Sequence, residues 1–279
     1  MFKIANILTG FNLLFGVISI LLAFSGRLEL AVIAILIGAI LDFFDGFVAR
    51  ILKQQGELGK QLDSLADIVT FGVAPGIIVF VLLILSGATE IIIEQGGKAE
   101  NLWLEGTMGH SVHFWISVYF NDLAGNQSGY LPTHFYGIYK FIPFVGLIIP
   151  FFSLFRLAKF NLDIRQTTGF IGLPTPANSL FFASFALMLW DGFQLNNWKT
   201  FISTYLIQPS ILIPLVVLFS LLLIAEIPLF SLKFKDFSWK NNKIRFIFLL
   251  FAIICIAALW VWAIPIIIIL YILMSILNR

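Results

Sequence analysis

The chain has 279 residues, of which 60% are hydrophobic and only 11% are charged, and its formal net charge is +2. A soluble domain is about 45–50% apolar and about 25% charged, so the composition excludes an ordinary globular protein and a disordered chain. The small net charge excludes a nucleic-acid-binding protein, which needs a strongly basic surface. The single cysteine, Cys255, cannot form an internal disulfide. The composition therefore indicates an integral membrane protein.

Apolar residues are concentrated in blocks long enough to cross a bilayer, for which a helix needs about 20 residues. The last block is long enough for two helices, and because proline breaks the helical hydrogen-bond ladder, we place the division at Pro265. We therefore predict an all-α polytopic bundle of about eight helices, with residues 1–279 forming a single membrane-embedded domain. The predicted spanning blocks are Ile7–Phe24, Leu30–Leu52, Leu62–Leu85, Ile138–Leu157, Pro176–Leu195, Ile211–Phe230 and Ile244–Leu277.

Basic residues predict the orientation of the bundle, because an excess of Lys and Arg marks the cytoplasmic side. If the N-terminus is cytoplasmic and successive helices cross the membrane in opposite directions, most Lys and Arg residues lie on the cytoplasmic side. An even number of helices also keeps the C-terminal Arg279 on that side. The cytoplasmic set is Lys3, Arg50, Lys53, Lys60, Arg156, Lys159, Arg165, Lys233, Lys235, Lys240, Lys243, Arg245 and Arg279. The opposite set is Arg27, Lys98, Lys140 and Lys199.

The longest polar stretch, residues 86–137, is predicted as an extracytoplasmic loop and holds the histidines His110, His113 and His134. We interpret these histidines as exposed loop residues rather than metal ligands. The loop lies on the opposite side of the membrane from four aspartates, described next, at which we place the chemistry. The aromatic residues between Phe114 and Phe120 indicate that the loop rests partly on the membrane interface.

Four aspartates interrupt the second and third apolar blocks, where ionisable groups are costly and are functional candidates. At about 100° per residue, Asp42 and Asp45 lie roughly 60° apart on one helix, and Asp63 and Asp67 roughly 40° apart on the next. The connection between the two helices is short, so we expect the four carboxylates to converge. Carboxylates that close repel one another unless cations separate them, and oxygen donors favour Mg²⁺ or Mn²⁺ over zinc. Two such ions could clamp a phosphate group.

Small residues surround the aspartates and leave room either for close helix packing or for a bulky ligand. The complete pattern is Asp42-x2-Asp45-Gly46-x2-Ala49-Arg50-x8-Gly59-x3-Asp63-x3-Asp67. It resembles the signature of the CDP-alcohol phosphatidyltransferases at every fixed position. In that family, enzymes displace CMP from a CDP-linked lipid with an alcohol.

The resemblance implies a role for each matching residue. Asp42, Asp45, Asp63 and Asp67 would bind two divalent ions, Mg²⁺ or Mn²⁺, and Asp67 would also act as the general base. The residues expected to line the CDP-lipid site are Asn6, Thr9, Gly46, Ala49, Arg50 and Gly59. The resemblance further implies a homodimer. We expect the protein to lie in a bacterial inner membrane, and the distribution of basic residues predicts an active site on the cytoplasmic side.

Within the family, the segment from Leu62 to Pro75 and the segment Gly172–Pro176 are similar to phosphatidylserine synthases of the multi-spanning type. This likeness implies CDP-diacylglycerol and L-serine as substrates. The serine carboxylate needs a cation, and Arg156 and Lys159 at the cytoplasmic end of the fourth block are the candidates. Three alternatives stay open: a related enzyme with inositol phosphate or glycerol phosphate as acceptor, a cation transporter with buried carboxylates, and a structural membrane protein.

Overall fold

The computed structural model describes residues 3–53, 56–94, 108–126, 138–162, 170–195, 198–230 and 238–277. Among these residues the chain is helical apart from one pair of two-residue strands. Five helical segments are long and apolar enough to cross a membrane, and a bent pair of helices would make a sixth. The prediction of an all-α polytopic bundle is therefore confirmed.

The first two helices, α1 (Ile4–Phe24) and α2 (Leu28–Ile51), form an antiparallel hairpin. Gly26 turns the chain between them with φ 84°, a left-handed conformation that glycine adopts without steric penalty. The amide of Arg27 then donates to the carbonyl of Leu22 and closes the end of α1. This tight turn keeps the two helices side by side along their length.

The third span is one continuous helical segment with a wider turn inside it. Helix α3 (Glu57–Asp67) passes into a π-helical segment (Ile68–Val73) and then into α4 (Ala74–Glu94). The sequence predicted a single regular block, Leu62–Leu85, and gave no sign of the π-helical segment. Such segments are rare and often accompany functional sites.

Thr70, in the π-helical segment, packs directly against the backbones of α1 and α2. Its Oγ1 donates a hydrogen bond of 3.0 Å to the Asn12 carbonyl, and the residue is fully buried. A Cβ built at Gly16 would lie 2.5 Å from Thr70 Oγ1, and one built at Gly38 would lie 2.7 Å from Thr70 Cγ2. The absence of side chains at these two glycines therefore permits the close approach of the three segments.

Residues 86–137 contain helical structure where a loop was predicted. Helix α4 continues to Glu94, and helix α5 (Met108–Leu123) follows the undescribed residues 95–107. Tyr119 packs edge-on against Phe80 of α4, with ring centroids 5.7 Å apart, and its hydroxyl donates to the Lys140 carbonyl. His113 is exposed on α5, whereas the side chain of His110 and all of His134 lie outside the described residues.

The next part of the chain, from α6 to α9, contains a short pair of antiparallel strands. A 3₁₀ segment leads into α6 (Ile148–Leu162), and strand β1 (Phe170–Ile171) pairs antiparallel with β2 (Pro228–Leu229). Between the strands lie α7 (Thr175–Leu195), α8 (Trp198–Leu206) and α9 (Pro209–Ile224), with α8 and α9 bent by 59° relative to each other.

Helix α7 explains part of the difference between six candidate spans and the predicted eight helices. Its 21 residues give a length of about 30 Å, enough to cross the apolar core of a bilayer. Its polar residues lower its hydropathy, so it is not among the candidate spans. Its central part, including Phe181, Phe182 and Ala186, is buried on all sides by other helices. A helix enclosed by protein needs no apolar surface toward lipid, so its low hydropathy is compatible with a central position.

The C-terminal helices α10 (Trp239–Leu259) and α11 (Ala263–Leu277) explain the rest of that difference. Residues 242–277 are long and apolar enough to count as one candidate span. In a single straight helix Phe248 and Tyr271 would lie far apart, but their ring centroids are only 5.8 Å apart. The two helices therefore fold back on each other. The predicted division at Pro265 is wrong in position: the break is at Trp260, with φ 53°, and Pro265 lies in the first turn of α11, where proline is tolerated.

The structure brings one group of helix ends together. Lys60 at the start of α3 donates to the carbonyl of Asn161 at the end of α6, and Arg156 of α6 donates to Leu173 just before α7. We call this the aspartate end, since Asp42, Asp45, Asp63 and Asp67 lie near it.

Five residues of the charge-based prediction lie outside the described ranges: Lys98, Arg165, Lys233, Lys235 and Arg279.

Gly16→Ala tests the packing at Thr70. The added methyl group would collide with the Thr70 backbone as well as its side chain, so we expect the variant to lose about 1–3 kcal/mol of stability. Thermal unfolding of the protein in detergent measures this loss. Gly10→Ala is the matched control in the same helix, because a Cβ built at Gly10 meets nothing within 4 Å. Equal melting temperatures for the two variants would contradict the packing argument.

Candidate active site

Three aspartates from α2 and α3 converge at the aspartate end of the bundle. One carboxylate oxygen from each of Asp42, Asp63 and Asp67 can be chosen so that all three lie within 4.8 Å of one another. The Asp42 carboxyl lies within hydrogen-bonding reach of both Asp63 and Asp67. The spacing along two neighbouring helices therefore produces the convergence that the sequence predicted for these three residues.

Asp45 is held slightly apart from this cluster. Its Oδ2 accepts a hydrogen bond from Thr9 Oγ1 of α1, and the residue is buried. Asp45 still interacts electrostatically with Asp63, so it belongs to the same charged region. The structure thus brings together three of the four predicted ligands and gives the fourth a hydroxyl partner.

Asn12 is a site residue that the predicted set did not contain. Its Nδ2 donates a hydrogen bond of 3.1 Å to Asp67 Oδ1, and its own carbonyl accepts from Thr70. The signal was present in the sequence, because Asn12 follows Thr9 by three residues in an apolar helix and the two share one face. Asn12 therefore fixes the orientation of Asp67 from the neighbouring helix.

The donor atoms of the aspartate cluster fit a hard divalent cation. All three are carboxylate oxygens, the ligand type that Mg²⁺ and Mn²⁺ prefer, and they are close enough to share one ion. Asp42, Asp63 and Asp67 would therefore hold the cation. Burial adds to the fit, because anionic groups held together away from water need a counter-charge.

A cavity of about 390 Å³ adjoins this cluster, bounded by α1, α2 and the start of α3. Asp63 of the cluster and its neighbour Asp45 form part of the cavity wall. All six residues predicted for the CDP-lipid site line it: Asn6, Thr9, Gly46, Ala49, Arg50 and Gly59. The sequence left open whether the glycines serve packing or ligand room. A Cβ built at Gly46 meets nothing within 4 Å, which favours ligand room there.

The cavity also has lining residues that the sequence analysis did not select. Lys60 and Glu57 of α3 contribute charges of opposite sign near its outer rim. Lys60 Nζ donates a 2.7 Å hydrogen bond to the carbonyl of Asn161, and Asn161 Nδ2 donates to Ser64 Oγ. These contacts anchor the end of α6 to α3. No spacing rule within one helix predicts them, since the partners are about a hundred residues apart.

Arg156 and Lys159, the predicted serine-binding residues, lie on α6 with different surroundings. Arg156 is 3% exposed; its Nε donates to the Leu173 carbonyl, and its guanidinium lies 5.3 Å from the Phe160 ring centroid. Lys159 forms a 3.0 Å ion pair with Glu226 near the strand pair. Arg156 is therefore the buried cation of the two.

The register of α6 places Arg156 near the aspartates. Asn161 contacts Ser64, and Ser153 faces Gly72, where the two Cβ positions would be 3.2 Å apart. Along the third span the contacts run forward from Ser64 to Gly72, whereas along α6 they run backward from Asn161 to Ser153. The two intervals have the same length, so the two segments are antiparallel. Arg156 then lies opposite the start of the π-helical segment, within about one helical turn of Asp67.

Comparison with known proteins accounts for this arrangement. Residues 2–95, which contain the aspartate cluster and the cavity, match the sequence model of the family CDP-alcohol phosphatidyltransferase. Over this part of the chain, the sequence is similar to that family.

The curated relatives include enzymes named CDP-diacylglycerol–serine O-phosphatidyltransferase. The Bacillus subtilis enzyme is 26% identical over 59% of this chain and 64% of its own length. The Saccharomyces cerevisiae enzyme is 40% identical over 28% of this chain and 29% of its own length. An archaetidylserine synthase of Methanothermobacter thermautotrophicus is 39% identical over 27% of this chain and 33% of its own length. The chain therefore spans less than two thirds of each of these relatives.

The predicted family resemblance is confirmed by these matches. The match to the family model ends at residue 95, so it includes Asp42, Asp63 and Asp67 but not Arg156. The cavity and the cluster are thus the part of this chain that the family match covers, and α6 and α7 lie beyond it.

Asp63→Asn tests cation binding without reference to catalysis. Removing one anionic ligand should weaken Mn²⁺ binding by at least about tenfold, the loss expected for a single charge-assisted interaction. Electron paramagnetic resonance of the purified protein, titrated with Mn²⁺, measures the affinity. Glu29→Gln is the control, because Glu29 pairs with Arg27 at the other end of α2. Equal affinity in wild type and Asp63→Asn would show that the cluster does not bind the ion.

Proposed function

We propose that this chain transfers the phosphatidyl group of CDP-diacylglycerol to the hydroxyl of L-serine, giving phosphatidylserine and CMP. The observation that carries the proposal is the aspartate cluster of Asp42, Asp63 and Asp67 beside a cavity lined by the rest of the family signature. The relatives named for serine transfer support the choice of acceptor.

The cavity would receive the CDP moiety of the lipid. Gly46 and Gly59 leave its wall without side chains, so a pyrophosphate can approach the helix backbones closely. Arg50, at the exposed end of α2, offers a permanent cation suited to phosphate oxygens. Phe43 and Phe47 of α2 are large, apolar and exposed, so they would contact lipid acyl chains in a membrane.

Asp67 would accept the proton of the serine hydroxyl. The serine oxygen then forms a bond to the lipid-side phosphorus, the bond from that phosphorus to the CMP oxygen breaks, and CMP leaves with the electron pair. Asn12 holds the Asp67 carboxylate for this role through its 3.1 Å hydrogen bond. Two divalent cations, when bound, would neutralise charge on the phosphate oxygens. Asp42, Asp45, Asp63 and Asp67 are the proposed ligands of these cations.

The serine carboxylate would bind Arg156, with Lys159 as the second predicted cation. Arg156 is the better candidate, because it is buried and lies within about one turn of Asp67, whereas Lys159 is paired with Glu226. An arginine fork can bind both carboxylate oxygens at once.

We also propose that the aspartate end lies on the cytoplasmic side of a bacterial inner membrane. Lys3, Arg50, Lys53, Lys60 and Lys159 are found at this end, whereas Arg27, Lys140 and Lys199 lie toward the other. An excess of basic residues marks the cytoplasmic side. The homodimer implied by the family resemblance stays a prediction.

The activity test uses CDP-diacylglycerol with labelled serine, glycerol phosphate or inositol phosphate. We expect wild type to form phosphatidylserine, EDTA to abolish the reaction, and Mg²⁺ or Mn²⁺ to restore it. Asp67→Asn should lower kcat by at least about a hundredfold, because it removes the general base. Product chromatography measures all of these outcomes, with Glu29→Gln as the control variant. A labelled product with another acceptor only, or full activity in EDTA, would contradict the proposal.

Gly46→Leu tests whether the cavity holds the CDP-lipid. Gly46 lines the cavity and a Cβ built there meets nothing within 4 Å, so we expect the leucine to occupy cavity space. Thermal stability should stay normal, while the KM for CDP-diacylglycerol should rise by about tenfold or more. Steady-state kinetics at saturating serine give this KM. Gly10→Leu adds the same side chain at an open position outside the cavity and should leave the KM unchanged. Unchanged kinetics in Gly46→Leu would place the lipid elsewhere.

A further inference from the structure

Asn178 is a buried amide in the first turn of α7. The residue is 0% exposed, and neither its Nδ2 nor its Oδ1 has a hydrogen-bond partner among the residues that the structure describes. A buried amide without partners is costly, so both polar atoms of this side chain have hydrogen-bonding capacity that a bound ligand would satisfy.

Asn178 is connected to Arg156 by a short and well-held stretch of backbone. The amide of Leu173 donates to the Leu222 carbonyl, and the Leu173 carbonyl accepts from Arg156 Nε. Five residues further along, the amide of Asn178 donates to the carbonyl of Pro174. The Arg156 side chain is therefore bonded to the backbone just before α7, within about one and a half helical turns of chain from Asn178.

Helices α6 and α7 both lie next to the segments that carry the aspartates. Helix α7 packs against the π-helical segment that directly follows Asp67, and it also packs against α2, which carries Asp42. On the α6 side, Ser153 faces the same π-helical segment, and its buried Oγ has no partner among the described residues either. Unpaired polar atoms thus lie on both helices that flank this segment.

We propose that Asn178 determines the specificity for an α-amino acid acceptor. Its Nδ2 donates to the acceptor's carboxylate beside Arg156, and its Oδ1 accepts from the acceptor's ammonium group. The N-terminal end of α7 adds a favourable dipole for the carboxylate. The inference rests on the proposed serine transfer and names the residue that recognises serine.

One carboxamide suits this task because it presents a donor and an acceptor together. A zwitterionic amino acid offers the complementary pair. Glycerol phosphate and inositol phosphate have no ammonium group, so their binding would leave Oδ1 buried and unpaired. A site that loses a required hydrogen bond in this way discriminates strongly against the wrong substrate.

The test compares Asn178→Leu with wild type in thermal stability and in the two substrate KM values. Leucine has a similar size and no polar atoms, so we expect stability to be unchanged or higher. The KM for serine should rise by at least about tenfold, while that for CDP-diacylglycerol stays within about twofold. Ser179→Ala is the matched control, because it removes another buried, unpaired polar atom one residue further along α7. An unchanged serine KM in Asn178→Leu would overturn the proposal.

Acceptor analogues tested on wild type make the result independent of how the variant folds. Ethanolamine lacks the carboxylate and 3-hydroxypropionate lacks the ammonium group, so each should compete with serine at least about tenfold more weakly than D-serine or another molecule bearing both groups. Equal competition by either analogue would contradict recognition by both atoms of Asn178. If wild type forms no phosphatidylserine, the proposed function fails; if it does and the variant matches it, only the role of Asn178 fails.

Discussion

The close approach of Thr70 to α1 and α2 is the contact on which the site depends. Two glycines, Gly16 and Gly38, leave the space that Thr70 fills, and its hydroxyl donates to the Asn12 carbonyl. One turn before Thr70, Asp67 accepts from the Asn12 side chain. Asn12 therefore joins α1 to the third span through two hydrogen bonds, one to its backbone carbonyl and one from its side chain. A shift of α3 along α1 would break both, so the position of Asp67 is fixed by packing and hydrogen bonding together.

This packing holds carboxylates closer than electrostatics alone would allow. Asp42, Asp63 and Asp67 are brought within 4.8 Å by helices whose apolar residues stabilise the bundle elsewhere. Their mutual repulsion in a partly buried environment opposes folding unless a cation or protons compensate it. A bound divalent cation would therefore stabilise the fold as well as the reaction, since a ligand that binds only the folded state shifts the equilibrium toward it. Cation binding and helix packing reinforce each other in such a site.

Sequence reasoning predicted the parts of this site that depend on local helix geometry. The spacings within α2 and α3 determine which side chains share a face, and this is why Asp42, Asp63 and Asp67 meet and why Gly46 lies beside the cavity. It did not predict the hydrogen bond from Thr9 to Asp45 or the π-helical segment after Asp67, because both depend on how α1 packs against its neighbours. The turn at Trp260 was misplaced to Pro265 for a related reason: proline is tolerated at a helix start, and only the packing of α10 against α11 shows where the chain reverses.

The family match covers the part of the chain that contains the aspartate cluster and the cavity. In the proposed reaction, this part would bind the CDP-linked lipid. Arg156 and Asn178 belong to α6 and α7, and the strand pair between residues 170–171 and 228–229 ties the backbone before α7 to the end of α9. In the proposed reaction, the first part activates a phosphate and the second part selects the alcohol that attacks it. The contacts between Lys60, Asn161 and Ser64 join the two parts, so α6 would hold the proposed acceptor in a fixed position relative to Asp67. Such a division allows the choice of alcohol to change through α6 and α7 while the aspartate cluster and the cavity stay the same.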